Sequence, residues 1–227
     1  YLTKAEIMDG IRGVDGLLCL LTDSIDDEIL AANPALKVVA NFAVGFNNID
    51  VAAATARNIP VTNTPGVLTE TTADMAFALL LDVARRVAEG DRFVRTRAWQ
   101  GWGPLQFLGA DVSHATLGLV GLGRIGKSMI PRAQGFSMNV LYWNRTRLTL
   151  AEEASLQVTY CELDELLQQS DFVSVHVAQN AETRHLLGPR EFSLMKPEAL
   201  LVNTARGPIV DEKAMVTALQ SGQIAGA

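Results

Sequence analysis

Apolar and polar positions along the chain fall into strand-length apolar runs separated by stretches with helical spacing. Thr3-Lys4-Ala5-Glu6 has the spacing of a capping box and predicts a helix from Lys4, broken by Gly13 and Gly16. Gly16 to Thr22 is a continuous apolar run that reads as a strand, and a helix opens at Ser24 or Ile25 and ends before Asn33-Pro34. Lys37 to Phe42 predicts a second strand, Asp50 caps a short helix from Val51 to Arg57, and Pro60 to Thr64 predicts a third strand closed by the Pro65-Gly66 turn. Strands alternating with helices imply a parallel sheet.

A long helix is predicted from Thr71 to Arg92, because Ala73, Ala76, Phe77, Leu80, Ala84 and Val87 recur at helical spacing. The periodicity then lapses. Trp99 to Ser113 holds three glycines, a proline and two tryptophans, and reads as a connecting or interface segment where the pattern alone places a domain boundary. The alternation resumes with strands at Thr116–Leu122, Asn139–Asn144, Phe172–Val177 and Ala199–Thr204, and helices at Ile125–Gly135, Glu162–Gln169 and Asp211–Ser221. Ile224 is expected to begin a further strand. Because backbone at a sheet position needs partners, the pattern suggests a fragment lacking both ends.

Composition narrows the class. Of 227 residues 48% are hydrophobic and 6% aromatic, so aliphatic side chains must fill the core. A net charge of −6 argues against nucleic-acid or anionic-membrane partners, and gives individual arginines more weight for binding an anionic small molecule. Cys19 and Cys161 are far apart and suggest neither a disulfide framework nor a metal cluster. A reducing, cytoplasmic setting is expected. The most apolar helical stretch, Ala73 to Ala84, carries Asp74 and Asp82 and is too short to span a bilayer.

Gly121-Leu122-Gly123-Arg124-Ile125-Gly126 fits the dinucleotide fingerprint, and here it follows a predicted strand and opens a predicted helix. The first glycine permits a tight turn, the second lets backbone approach a pyrophosphate, and the third lets helix and strand pack closely. The same stretch also satisfies a P-loop pattern through Gly121, Gly126, Lys127 and Ser128. Gly123 is needed only by the first pattern. The strands at Phe172–Val177 and Ala199–Thr204 do not end in the aspartate that would hold magnesium in an NTPase. A glycine turn without a ligand is the bland alternative. An NAD site usually places a carboxylate about 20 residues past the glycines, on the ribose 2′-hydroxyl. That place holds Asn144-Arg145-Thr146-Arg147, where two arginines suit a 2′-phosphate, so NADPH is expected over NADH; a solvated basic turn is the bland reading.

Four motifs in order resemble the D-isomer-specific 2-hydroxyacid dehydrogenases. They are Asn41 to Asp50, Asn63 to Asp74, Thr116 to Gly126, and Met195-Lys196-Pro197 followed by Val202 to Asp211. Within the family the wording is most similar to glyoxylate/hydroxypyruvate reductases, including the bacterial 2-ketoaldonate type. The resemblance implies a two-domain α/β fold: a Rossmann-type doubly wound parallel sheet, plus a smaller flavodoxin-like substrate domain, with the active site in the cleft. It assigns residues 1–72 to the substrate domain, N-terminally truncated. Residues 73–227, with the crossing helix, become the cofactor domain, C-terminally truncated.

The resemblance also implies roles. Arg206 becomes the catalytic arginine that orients and polarises a small 2-keto acid. Val44 and Gly45 offer backbone N–H groups to its carboxylate, and Leu68 lines the substrate side. Thr72, Gly121, Leu122, Gly123, Arg124, Ile125, Gly126, Asn144, Arg145, Thr146, Val177, Thr183, Thr204 and Ala205 line the cofactor. The family's general acid is a histidine, paired with a glutamate, that falls beyond Ala227, so the piece given is expected to bind cofactor with little turnover. His114, His176 and His185 show no metal-ligand spacing, and no metal is expected. The Trp99–Ser113 segment corresponds to the family's dimer-contact region and implies a homodimer. A non-catalytic dinucleotide-sensing relative, an NAD-linked phosphoglycerate-type dehydrogenase and, remotely, a P-loop NTPase stay open at this point.

Overall fold

The computed structural model describes residues 2–227. The chain separates into two compact units, one running to Leu68 and one spanning Thr69–Ala227. In the first unit α1 (Lys4–Gly10) opens on the Thr3 capping box, followed by β1 (Gly16–Leu20), α2 (Asp27–Ala31), β2 (Val38–Phe42), α3 (Val51–Ala56) and β3 (Val61–Thr62). The three strands form a parallel sheet in the order β1-β2-β3, with Gly16 opposite Val38 and Val39 opposite Val61. Ile25, Ile29, Leu30, Leu36, Val39 and Ala54 fill its core.

The second unit contains α4 (Thr69–Arg85), α5 (Val87–Arg95), β4 (Thr116–Val120), α6 (Arg124–Gly135), β5 (Asn139–Trp143), α7 (Leu150–Leu156), β6 (Thr159–Tyr160), α8 (Leu163–Gln169), β7 (Phe172–Val175), α9 (Pro189–Leu194), β8 (Leu200–Asn203) and α10 (Glu212–Gln220). Its five strands are all parallel, in the order β6-β5-β4-β7-β8. The chain therefore starts mid-sheet at β4, winds outward through β5 and β6, then crosses back to β7 and β8. Both faces are covered, as all-parallel sheets require. Ala73, Phe77 and Leu80 of α4 and Met129, Ile130 and Ala133 of α6 share one core with Leu117, Leu119, Val140 and Tyr142. Leu166 and Leu167 of α8, Phe192 of α9 and Ala214 and Ala218 of α10 share the other with Val120, Val173, Val175 and Leu201. The alternation predicts a parallel sheet, and this is the doubly wound architecture that the resemblance implies.

The single helix predicted over Thr71–Arg92 is corrected to two. Arg86 takes a left-handed conformation, φ 55°, and separates α4 from α5. A continuous helix would pair the Ala88 N–H with the Ala84 carbonyl. Here that carbonyl accepts from Ala110 N–H at 2.9 Å, while Ala88 N–H donates to Asp82 Oδ1 at 2.7 Å. The returning segment thus takes the bond that would have carried the helix on, and Arg86 is held in place by Glu89, by the Leu108 carbonyl and by the ring of Phe107. The segment Trp99–Ser113 lies inside the second unit, and Val112 belongs to its core. The strand expected from Ile224 is a single bridge, Gly226 opposite Leu200, made by Leu201 N–H to the Gly226 carbonyl at 3.0 Å. α7, β6 and α9 were not foreseen; each is short, with two to seven residues.

Candidate active site

In a sheet that winds out both ways from a central strand, the crevice forms at the carboxyl ends of the two strands where the direction reverses. Those strands are β4 and β7, paired with Val120 opposite Val175. β4 runs into Gly121, whose φ of +101° favours glycine and whose N–H is held by the Trp143 carbonyl at 2.9 Å. A Cβ on Gly121 would lie 2.7 Å from the Val177 nitrogen and 2.9 Å from the His176 carbonyl carbon. A Cβ on Gly126 would lie 2.3 Å from the Gly121 oxygen. Both glycines are required by packing. Gly123 is different: space around it is open, and it caps α6 without a side-chain hydrogen bond. The loop therefore presents exposed backbone and the first N–H groups of a twelve-residue helix, at Arg124, Ile125 and Gly126. Such a terminus suits a pyrophosphate, and the cradle fits a dinucleotide. Leu122 is buried, and its N–H donates to Asn144 Oδ1 at 3.3 Å.

That bond ties the glycine loop to the turn after β5, and Asn144 Nδ2 donates in turn to the Thr146 carbonyl at 2.9 Å. The two arginines of this turn part company. Arg147 makes a paired contact with Glu153, Nε to Oε1 at 2.7 Å and Nη2 to Oε2 at 2.9 Å, and lies over the Tyr160 ring. Tyr142 donates its hydroxyl to the same carboxylate at 2.7 Å and accepts from Leu148 N–H at 2.9 Å. Arg147 first, and Tyr142 with it, hold the Glu153 carboxyl down to about 2. Burial first, and then the carboxylate, push Tyr142 up to about 12. Arg147 is therefore committed to the fold, which corrects the expectation of two arginines ready for a phosphate. Arg145 is 81% exposed, with only a surface contact to Glu182 at 3.6 Å.

β7 leads into His176 and Val177. His176 N–H donates to the Val120 carbonyl at 2.8 Å, and its Nε2 lies 2.8 Å from Ser174 Oγ. Burial pushes its imidazole down to about 4, so it stays neutral near pH 7. The Thr183 hydroxyl closes the following turn, donating to the Ala178 carbonyl at 2.7 Å and accepting from Asn180 N–H at 2.9 Å. β8 leads into Thr204, Ala205 and Arg206, where an Asx turn shapes the chain: Asn203 Oδ1 accepts from Ala205 N–H at 3.0 Å, and its Nδ2 donates to the Arg206 carbonyl at 2.9 Å. Arg206 is half-buried, with Nη1 donating to the Ala205 carbonyl at 2.7 Å. Thr204 Oγ1 is buried and has no hydrogen-bond partner among the described residues. Buried hydroxyls are rarely left so, and a ligand group is one explanation.

In the first unit, Val44 and Gly45 lie in the loop after β2. The carbonyl of Val44 accepts from Asn63 Nδ2 and that of Gly45 from Asn41 Nδ2, each at 2.7 Å. The sequence pattern assigns no role to Asn203, Asn41 or Asn63 individually. The first could have been found from its Asx-turn position before Thr-Ala-Arg, whereas Asn63 acts on a residue nineteen positions away and Asn41 acts within its own loop without a turn pattern to mark it. Leu68 is half exposed just before α4, and Thr72 is half-buried in its first turn. His114 is exposed with φ 65°, and His185 lies near Asp211, 3.8 Å from Nδ1 to Oδ2. Among the described residues no group of His, Cys, Asp and Glu could hold a metal, and no helix is long and apolar enough to cross a membrane.

Comparison with known proteins agrees with this geometry. Residues 77–227 match the family profile described as D-isomer specific 2-hydroxyacid dehydrogenase, NAD binding domain. The glyoxylate reductase of Thermococcus litoralis is 51% identical over 228 residues, covering 99% of this chain and 69% of that protein. The glyoxylate reductase of Korarchaeum cryptofilum is 52% identical over 226 residues, covering 99% of this chain and 68% of that protein. Among solved structures, the TT0316 protein from Thermus thermophilus superposes with a TM-score of 0.91 at 44% identity, covering 99% of this chain and 70% of that one. The P-loop alternative falls with these matches. It falls on geometry too, because the Ser128 hydroxyl that would have met magnesium donates to Glu70 Oε1 at 2.8 Å. A glycine loop at the switch point and half-identity over nearly the whole chain lead to one assignment: the chain belongs to the D-isomer-specific 2-hydroxyacid dehydrogenases, oxidoreductases built on a nicotinamide-dinucleotide-binding Rossmann domain.

Proposed function

We propose that this protein reduces a small 2-keto acid of the glyoxylate or hydroxypyruvate type to the D-2-hydroxy acid, preferring NADPH to NADH. The observation that carries the reading is the loop Gly121–Gly126, whose outer glycines are fixed by packing and whose middle glycine opens on space. Relatives named glyoxylate reductase at about half identity supply the substrate class. When bound, the dinucleotide supplies a hydride for C2 of the keto acid. The N–H groups of Arg124, Ile125 and Gly126 hold its pyrophosphate, and Val177, Thr183, Thr204 and Ala205 line its path. Asn144 and Thr146 take the adenosine end, where the exposed Arg145 exchanges its surface contact with Glu182 for a 2′-phosphate. The N–H groups of Val44 and Gly45 bind the substrate carboxylate, with Leu68 and Thr72 beside the reactants. Arg206 orients the substrate and draws charge onto the carbonyl oxygen as hydride reaches C2, and the histidine acid that the resemblance implies would supply the proton that completes the hydroxyl. His176, held neutral by burial, serves as a hydrogen-bond partner of Ser174, not as the acid.

Initial rates with glyoxylate and hydroxypyruvate, against NADPH and NADH in turn, test the reading. A lower KM for NADPH is expected; equal values would remove the preference, and no binding of either nucleotide would remove the reading. The protein is also proposed to act as a homodimer in the cytoplasm. Trp99, Trp102, Leu105 and Leu108 stand exposed in one segment, apolar side chains that a second copy would cover. Its two buried, free cysteines suit a reducing compartment. Light scattering should give twice the chain mass, and Trp102→Glu should halve it.

A further inference from the structure

The loop after β2 is held in an unusual way. Asn41 is 2% exposed, on a sheet face it shares with Cys19 and Val39, where an aliphatic side chain would be cheaper to bury. It forms a reciprocal amide pair with Asn48, Nδ2 to Asn48 Oδ1 at 3.1 Å and Oδ1 from Asn48 Nδ2 at 3.3 Å, and accepts from Cys19 Sγ at 3.5 Å. Asn48 anchors this pair by donating to the carbonyls of Leu20 and Asp23. Three successive carbonyls of the loop are then captured. Ala43 accepts from Thr64 N–H at 2.9 Å, Val44 from Asn63 Nδ2 at 2.7 Å, and Gly45 from Asn41 Nδ2 at 2.7 Å.

A trans peptide is planar, with its C=O and the following N–H pointing in opposite directions. Fixing the Ala43 carbonyl therefore fixes the Val44 N–H, and fixing the Val44 carbonyl fixes the Gly45 N–H. Among the described residues no hydrogen bond uses either N–H. Successive N–H groups that no internal hydrogen bond uses can form an anion-binding concavity. We propose that Asn63 and Asn41 are positioning residues. Asn63 sets the peptide plane that carries the Gly45 N–H. Asn41, locked by Asn48, sets the next plane and keeps the loop from turning its carbonyls toward the substrate. The inference rests on the reading of Val44 and Gly45 as the carboxylate site and adds the side chains that determine it.

The test is a titration with oxamate, an unreactive 2-keto acid analogue, in the presence of NADPH, followed by backbone amide NMR in the wild type, Asn63→Ala and Asn41→Asp. Asn63 is half-buried beyond the short β3, so its alanine variant should fold even if the buried Asn41 variant does not. In the wild type the Val44 and Gly45 amides should shift. In Asn63→Ala, oxamate should bind about tenfold more weakly, the effect of one ordinary hydrogen bond, with NADPH affinity unchanged and the KM for glyoxylate raised more than kcat is lowered. If the wild-type amides shift but oxamate affinity is the same in Asn63→Ala, the positioning role is overturned and the carboxylate site stands. If neither amide moves in the wild type at saturating oxamate, the carboxylate site falls and this inference with it.

Discussion

Two loops at the carboxyl ends of parallel strands are given anion-binding roles here, and they are made by opposite means. The loop after β4 is shaped by subtraction: Gly121 and Gly126 leave out side chains that would collide with Val177 and with the loop itself. The loop after β2 is shaped by addition: amides from Asn41 and Asn63 and the N–H of Thr64 each hold one of its carbonyls. The first device acts through sterics, which are short-ranged and unforgiving. The second acts through hydrogen bonds, each worth about 1 kcal/mol and open to partial replacement by water. The glycine loop should therefore fail abruptly when altered, and the amide-held loop by degrees.

The largest effect should come from Gly121→Ala. A left-handed φ and a Cβ 2.7 Å from backbone combine strain with overpacking, so the loss should reach about 3 kcal/mol or more, read as a fall in the urea midpoint with dinucleotide binding abolished. Gly123→Ala, whose Cβ would meet open space, should keep the urea midpoint and lose only affinity for the dinucleotide. If both variants unfold alike, the division of labour among the glycines is wrong. Next in size is the split between the two arginines after β5. Arg145→Ala should raise the KM for NADPH about tenfold or more and leave that for NADH nearly unchanged, the loss of one charged contact. Arg147→Ala should lower thermal stability through Glu153 and Tyr142 and change both cofactors alike. A cofactor-selective effect at Arg147 would reverse the assignment.

The smallest effect should be on acid stability. The His176 imidazole titrates near 4 in the fold and near 6.5 when unfolded, so the unfolded chain binds the extra proton. Stability from this group is complete above about 6.5 and falls as the pH drops from there toward 4. Glu153, held near 2, adds a separate loss below its ordinary carboxylate range. Urea midpoints measured from about pH 7 to pH 4 should decline, and His176→Gln should flatten that decline.

The contrast between the loops also explains what the amino-acid order reveals. Steric need is written in residue identity, so the glycine fingerprint, its strand and its helix could be placed from the pattern alone. Arg206 is reached differently, through the family resemblance that the unbroken Asn-Thr-Ala-Arg-Gly stretch carries. An amide that captures a carbonyl nineteen residues away leaves no local trace, and Asn63 reaching Val44 could not be foreseen. Arg147 looked like a phosphate ligand because its partner Glu153 lies six residues on, in a helix that went unrecognised. That helix did carry a signal, the capping box of Thr149 and Glu152. The break at Arg86 had none, since neither glycine nor proline marks it and its cause is the distant Ala110. The two-residue strand β6 exists only through its neighbour β5, whereas β3 lies within the strand expected over Pro60–Thr64.

The unpartnered hydroxyl of Thr204 bears on how such a protein changes over time. A valine there would match the threonine in shape and would spare the fold a buried polar atom with nothing to bond. Drift toward stability alone would thus favour losing the hydroxyl. A threonine kept at this place among relatives would then mark selection for binding, at a position where folding by itself pulls the other way.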